Sequence, residues 1–147
     1  MHYLVEVSQN LQDDHVTALG ERLAKADPKD YILMSYLSSS YSVKDPEGKR
    51  KALWYANEML HIDPNRANGY AAVAGVYHRI WIISHAKDMD AARLAVQGIK
   101  EYLKRETRPN LAENKKTAQL IMERLNHSID EADKSKLAEA DKNKPKP

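Results

Sequence analysis

Histidine is the residue type in this sequence best suited to metal binding or acid–base catalysis near neutral pH. The six histidines stand at positions 2, 15, 61, 78, 85 and 127. No pair has the HExxH spacing of zinc proteases, and none stands in a carboxylate cluster with the spacing of metal ligands. Asp13 and Asp14 beside His15 are interpreted as the cap and first turn of a helix. His78 and His85 are seven residues apart and could share one helix face. Two histidines alone do not complete a metal site, so no metal ligands are predicted.

Other kinds of catalytic or binding motif are also missing from the sequence. The chain contains no cysteine, which excludes disulfides, thiolate catalysis and cysteine metal sites. Residues 87–90, KDMD, lack the remaining ligands of a calcium loop. There is no glycine-rich phosphate loop and no Gly-x-Ser-x-Gly elbow. The sequence therefore predicts no catalytic residue, no cofactor and no enzyme.

Charge and hydropathy narrow the classes of partner. Lys and Arg number 23 and Asp and Glu 21, and both signs are scattered along the chain. This pattern does not predict a nucleic-acid-binding face. No apolar run is long enough to span a membrane, and MHYLVEVSQNL does not resemble a signal peptide. Composition leaves the compartment unknown, with the cytoplasm favoured. A periplasmic or membrane-anchored protein is the alternative if the native chain extends upstream of Met1.

The elements that carry these residues are predicted to be helices. Five glycines and six prolines stand among 147 residues, and no β-branched residues alternate as in strands. A chain of this length is expected to form one domain. The predicted fold class is all-α.

Aligning the sequence on three prolines reveals an internal repeat. Offsets of +6, +9, +10 and +13 after each proline carry similar residues, most of them apolar or small. They are Met34, Leu37, Ser38 and Tyr41 after Pro28; Tyr70, Val73, Ala74 and Tyr77 after Pro64; and Lys115, Ala118, Gln119 and Met122 after Pro109. This spacing places each set on one helical stripe.

The repeat resembles the tetratricopeptide repeat (TPR) family, in which a helix A and a helix B form each unit. Residues 70–77 are similar to its helix A, and ALWYANEMLHIDP (52–64) is similar to its helix B. The resemblance implies a right-handed α-α superhelix in one domain, residues 1–140. It comprises repeats at about 1–28, 29–64 and 65–109, a capping helix at about 110–138, and a flexible tail, 141–147.

Three departures from the family pattern carry predictions of their own. Tyr3, Leu4 and Val7 fit a first helix A whose first turn would precede Met1, which suggests a missing upstream segment. In SVKDPEGKR (42–50), Pro46 and Gly48 predict a turn. Residues 78–84, HRIWIIS, are expected to extend the preceding helix before HAKDMD turns the chain.

Beyond Pro109, one long amphipathic helix is predicted, with a single apolar side formed by Leu111, Ala118, Ile121, Leu125, Ile129 and Ala132.

The resemblance implies that a concave groove is lined mainly by helix A residues. In this sequence the groove positions are Ser35, Tyr36, Ser39, Ser42, Asn68, Ala71, Ala72, Gly75, His78 and Arg79. The small residues predict a shallow floor, Tyr36 a wall, and His78 with Arg79 a basic end suited to an acidic partner residue. Ala71 and Gly75 stand where the family's carboxylate clamp would need Lys and Arg, so that clamp is not expected.

These features predict a non-catalytic interaction module that binds a protein or peptide segment in the groove. Trp81 continues the core stripe, whereas Ile82 and Ile83 either pack on the last helix, which we favour, or form an exposed second surface. In the second case, the alternative function is a self-associating TPR scaffold, that is, a homo-oligomer.

Overall fold

The chain folds into α-helices throughout the part described by the computed structural model, residues 14–142. The helices are α1 (Asp14–Ala26), α2 (Tyr31–Ser40), α3 (Pro46–Ile62), α4 (Ala67–Ile83), α5 (Met89–Arg105) and α6 (Ala112–Lys142), with a 3-10 turn at Pro109–Leu111. Within this range there is no strand, so the all-α prediction is confirmed. The predicted first helix A, at residues 3–7, lies outside the described residues. Of the predicted tail, 141–147, residues 141 and 142 belong to α6 and the rest lies outside the described residues.

Aspartates begin three of the helices. Asp30, Asp45 and Asp88 are the N-caps of α2, α3 and α5, and each side chain accepts a hydrogen bond from a backbone N–H in the first turn. The bonds are 3.0, 2.7 and 2.9 Å long, respectively. Each carboxylate satisfies an N–H group that has no partner within the helix.

The predicted turn at Pro46 and Gly48 is wrong, because both residues belong to the first turn of α3. Proline fits this position since the first helical N–H has no intrahelical acceptor. Gly48 is buried under the preceding segment, and a Cβ on it would lie 2.1 Å from the carbonyl oxygen of Ser42. The chain instead bends over residues 41–45, before α3 begins, and glycine permits the close approach to Ser42.

Helix α4 extends to Ile83, as the sequence predicts for residues 78–84. It ends at Ser84, and the next two residues, His85 and Ala86, have positive φ values of 53° and 61°. This left-handed pair turns the chain into α5, whose N-cap is Asp88.

Neighbouring helices along the chain pack against each other, and α2 also contacts α4. The core has two parts, one between α1, α2 and α3 and the other between α3, α4, α5 and α6. Tyr41 and Ala72 pack against both parts and join them. None of the helices in the described range is long and apolar enough to cross a membrane.

Small residues allow α4 and α5 to approach closely. Ala74, Ala92 and Ala95 are almost fully buried in the larger part of the core. Gly98 of α5 lies against the α4 backbone, and a Cβ on it would be 2.9 Å from Cβ of Ala74 and 3.1 Å from the carbonyl oxygen of Tyr70. This contact fixes the position of α4, the helix that carries most of the predicted groove residues.

Candidate functional site

A groove of about 710 Å³ lies over α2 and α4 and reaches the start of α6. We call it the α2–α4 groove. Helix α2 contributes serines, α4 contributes small residues and two basic ones, and residues 102–114 form the far side. The lining residues are Ser35, Ser38, Ser39, Asn68, Ala71, Ala72, Gly75, Val76, His78, Arg79, Tyr102, Arg108, Leu111 and Asn114.

The structure brings together every groove residue named in the sequence analysis except Tyr36 and Ser42. Tyr36 is half-buried and lies on the α1 side of α2, where a Cβ on Gly20 would be 3.6 Å from its Cε1. The interpretation of Tyr36 as a groove wall is therefore wrong. Because α1 packs on α2, this flank of α2 is part of a helix interface.

The groove floor is open at Gly75. This residue is exposed, and a Cβ built on it meets no atom of residues 14–142 within 4 Å. Its neighbours on α4, Ala71 and Ala72, are half-buried, and Ala72 packs on both parts of the core. Close packing thus explains the small side chain at Ala72 but not the absence of a side chain at Gly75.

Arg79 caps the C-terminus of α2 instead of offering a charge to a partner. Its Nη1 donates to the carbonyl oxygens of Ser39 at 3.0 Å and Tyr41 at 3.1 Å, and its Nη2 donates to that of Ser38 at 2.6 Å. Carbonyl groups at the C-terminus of a helix receive no hydrogen bond from a backbone N–H of the same helix. The guanidinium of Arg79 supplies the missing donors, and its positive charge is favourable at this end of the helix dipole. Burial lowers the pKa of Arg79. The expectation that Arg79 forms a freely available basic end is therefore wrong.

Arg108 supplies a second basic group at the groove, and sequence reasoning missed it. Its Nε and Nη2 donate to the two carboxylate oxygens of Glu106 at 2.8 and 2.5 Å, and Nη2 also donates to Oδ1 of Asn68 at 3.0 Å. The Glu106 side chain is only 1% exposed, whereas that of Arg108 is 50% exposed. The hydrogen bonds from Arg108 hold the pKa of Glu106 down to about 2. The one sequence clue was the pair of opposite charges just before Pro109.

A second, more apolar depression of about 430 Å³ lies between α4 and α6, over α5. We call it the α4–α6 cleft. Helices α4 and α6 do not form an interface comparable to that between α2 and α4, which leaves the cleft open. Its lining residues are Ala71, Ala74, Gly75, His78, Ile99, Tyr102, Asn114, Thr117, Ala118 and Ile121. Tyr102 and Asn114 were missed because groove positions were taken only from the helices that follow Pro28 and Pro64, whereas these residues lie on α5 and α6.

His78 stands where the groove and the cleft meet. Its ring stacks on Trp81, with 5.9 Å between the centroids, and Arg124 lies 5.7 Å from the Trp81 centroid. Burial, and secondarily the charge of Arg124, lower the pKa of His78. The neutral imidazole can donate one hydrogen bond and accept another.

The possible second surface is exposed at the end of α4. Trp81 is 2% exposed, as expected for the core, while Ile82 is 52% and Ile83 37% exposed. The favoured interpretation, in which these isoleucines pack on the last helix, is therefore wrong. On α6 the predicted apolar side faces the core, where Leu125 is fully buried and Ile121 and Ile129 are half-buried.

Among residues 14–142, no three His, Asp or Glu side chains are grouped so that they could hold a metal ion. Comparison with models of protein families, with curated proteins and with solved structures finds no match to this chain.

Proposed function

We propose that this chain is a non-catalytic interaction module that captures a segment of a partner protein in the α2–α4 groove. The observation that carries the proposal is the open floor at Gly75, where no other part of the described chain fills the space. A glycine in a helix interior costs roughly 1 kcal/mol relative to alanine. Room for a ligand is a physical reason for accepting that cost.

We further propose that the chain belongs to the tetratricopeptide repeat family and forms a right-handed superhelix. The alternation of helices, three of which end at Ala26, Ile62 and Arg105 shortly before Pro28, Pro64 and Pro109, supports this arrangement. So does the direct contact between α2 and α4, which are successive helix A elements in the family register.

The ionisable groups at the groove favour binding over catalysis. Arg79 is engaged by carbonyl groups, and Arg108 and Glu106 are engaged by each other. His78 stacks on Trp81, and no carboxylate lines the groove within the described residues to orient the imidazole as a base.

A Gly75→Leu variant tests the proposal because its Cβ meets no described atom within 4 Å and the rest of its side chain would occupy space in the groove. Gln97→Leu is the matched control, since Gln97 is an exposed residue of α5 outside the groove and the cleft. We expect equal helix content by circular dichroism in the wild type and both variants. Affinity capture with quantitative mass spectrometry should find partners held by the wild type and Gln97→Leu but lost by Gly75→Leu. An identical partner set for all three proteins would refute binding in the groove.

The exposed isoleucines favour a second candidate, a self-associating scaffold. Two neighbouring apolar side chains at a helix end could lie in an interface between copies. Sedimentation of the wild type and an Ile82→Glu/Ile83→Glu variant over a range of concentrations tests it. Association of the wild type alone supports the scaffold, and a monomer at every concentration contradicts it.

A further inference from the structure

We propose that the partner segment captured by this chain is acidic and carries a large apolar side chain, the acid binding Arg108 and the apolar group entering the α4–α6 cleft. This inference rests on the proposed function and specifies the chemistry of the partner.

Arg108 is held in place with part of its guanidinium unused. Of its five N–H groups, one on Nε and two on Nη2 face Glu106 and Asn68. Its Nη1 makes no hydrogen bond to any of the described residues. Because the buried Glu106 fixes the guanidinium plane, a carboxylate that approaches Nη1 meets an oriented donor pair at little entropic cost.

The charges around this end of the groove favour an anion. Arg79 and Arg108 line the groove, and Lys115 donates from Nζ to the Glu106 carbonyl oxygen at 3.0 Å. Glu106 is the one acidic partner of this group and its side chain is covered. Because Arg79 is engaged by the carbonyl oxygens at the end of α2, the balance at this end is two positive charges, of Arg108 and Lys115, against one negative charge, and a partner carboxylate compensates the excess.

The cleft selects a different kind of group. Its walls are Ala71, Ala74, Ile99, Ala118 and Ile121, with Gly75 at the edge, and none of the lining residues is a Lys, Arg, Asp or Glu. Transfer of a charged side chain into such surroundings is unfavourable, whereas an apolar one gains by leaving water. Its volume of about 430 Å³ is within the usual range of ligand pockets, roughly 300–1,000 Å³.

The groove and the cleft are continuous. Ala71, Gly75, His78, Tyr102 and Asn114 line both of them. One partner segment can therefore place a carboxylate at Arg108 and an apolar side chain in the cleft. The polar groups of His78, Tyr102 and Asn114 lie between these points and can bond to the backbone of the segment. The last residues of this chain, NKPKP, have the wrong charge for the site.

The first step of the test is selection from a phage-displayed library of random peptides on the intact chain. We expect enrichment of Asp or Glu near a Leu, Phe, Tyr or Trp. The selected sequences are then synthesised with amidated C-termini, so that no terminal carboxylate contributes, and their affinity is measured by fluorescence anisotropy. In the wild type, Asp→Asn or Glu→Gln in the peptide should cost about tenfold, and replacement of the apolar anchor by Ala should also cost about tenfold or more.

Two matched pairs of variants assign these losses to their sites. With Arg108→Gln, neutralising the acidic residue of the peptide should no longer weaken binding. With Arg93→Gln, which lies outside both sites, the same peptide change should still weaken binding about tenfold. In Thr117→Arg, at the cleft, the anchor should no longer matter, whereas Gln119→Arg, an exposed neighbour on α6 outside the cleft, should behave as the wild type. Each comparison is made within one protein, so a change in stability does not imitate the effect.

The outcomes separate this inference from the function on which it rests. Peptides that bind the wild type and Gly75→Leu equally would overturn groove binding itself, and the inference with it. Peptides that fail to bind Gly75→Leu but contain no acidic residue would leave groove binding intact and overturn the inference. So would peptides that fail to bind Gly75→Leu but bind Arg108→Gln as tightly as the wild type. A library that yields no binder, together with a dimer that dissociates in Gly75→Leu, would assign the groove to a second copy and also overturn the inference.

Discussion

Gly75 and Gly98 are both helical, yet their surroundings predict opposite effects of the same substitution to alanine. Gly75 of α4 is exposed, and an added Cβ meets nothing within 4 Å. Gly98 of α5 is buried, and an added Cβ would lie 2.9 Å from Cβ of Ala74 and 3.1 Å from the carbonyl oxygen of Tyr70. At Gly98 the nearest atoms belong to the backbone or to a short side chain, so they cannot rotate away.

The magnitude follows from two contributions. Alanine in place of glycine in a helix interior stabilises by about 0.5–1 kcal/mol, and this gain applies to both positions. Overpacking at a close helix contact costs about 1–3 kcal/mol, and it applies to Gly98 alone. Gly75→Ala should therefore raise the free energy of unfolding by about 0.5–1 kcal/mol, and Gly98→Ala should lie about 1–3 kcal/mol below Gly75→Ala.

Urea unfolding followed by circular dichroism measures both values. The slope of the unfolding free energy against urea should be the same in the wild type and both variants, because the surface exposed on unfolding is unchanged. The reasoning fails if Gly75→Ala destabilises the chain, or if the two variants shift the midpoint equally. The first result would mean that the space at Gly75 is filled. The second would mean that α4 and α5 lie further apart at Gly98 than the 2.9 Å between its added Cβ and Cβ of Ala74 implies.

Three further predictions concern other parts of the chain. Arg79→Met should lower the free energy of unfolding by about 1–3 kcal/mol, because it leaves carbonyls at the end of α2 without donors. Arg79→Lys should lower it by less, and urea unfolding measures both variants. Glu106→Gln should lower the free energy of unfolding at neutral pH. Since the pKa of Glu106 is lowered from 4.5 to about 2 in the folded chain, the difference in unfolding free energy between wild type and variant should shrink as pH falls from about 4.5 to 2. A deficit that stays constant over this range would contradict the pairing with Arg108. In Trp54→Phe, Trp81 is the one remaining tryptophan, and it is 2% exposed whereas Trp54 is 50% exposed. The tryptophan fluorescence of this variant should be blue-shifted and only weakly quenched by acrylamide, and strong quenching would place Trp81 in solvent.

The helices could be predicted from the sequence because their signals are local. The apolar stripes have helical spacing, and prolines and aspartates stand near the ends. The prediction failed at Pro46 and Gly48, where the same residues suit either a turn or the first turn of a helix. What decides between them is the contact of Gly48 with Ser42, and sequence does not display that contact.

The site was only partly predictable, because a register places residues on a helix face but does not identify their partners. Tyr36 and Arg79 have the expected register, yet Tyr36 packs towards α1 and Arg79 caps α2. Arg108 has no place in the repeat, but the chain around Pro109 brings it to the groove beside Asn68. The Arg79 and Arg108 contacts join residues about 40 positions apart, and the Tyr36 contact joins two helices, so none of them is visible in a local pattern.

The small residues of α4 illustrate how packing and binding can be distinguished. Ala74 is small because Gly98 and its helix lie against it, and Ala72 because it joins the two parts of the core. Among the described residues Gly75 has no such neighbour, and it costs the helix stability that alanine would restore. A residue that breaks a local rule without a compensating contact is where function is to be sought. That reasoning supports our proposal that a partner binds at Gly75, between the charge of Arg108 and the apolar α4–α6 cleft.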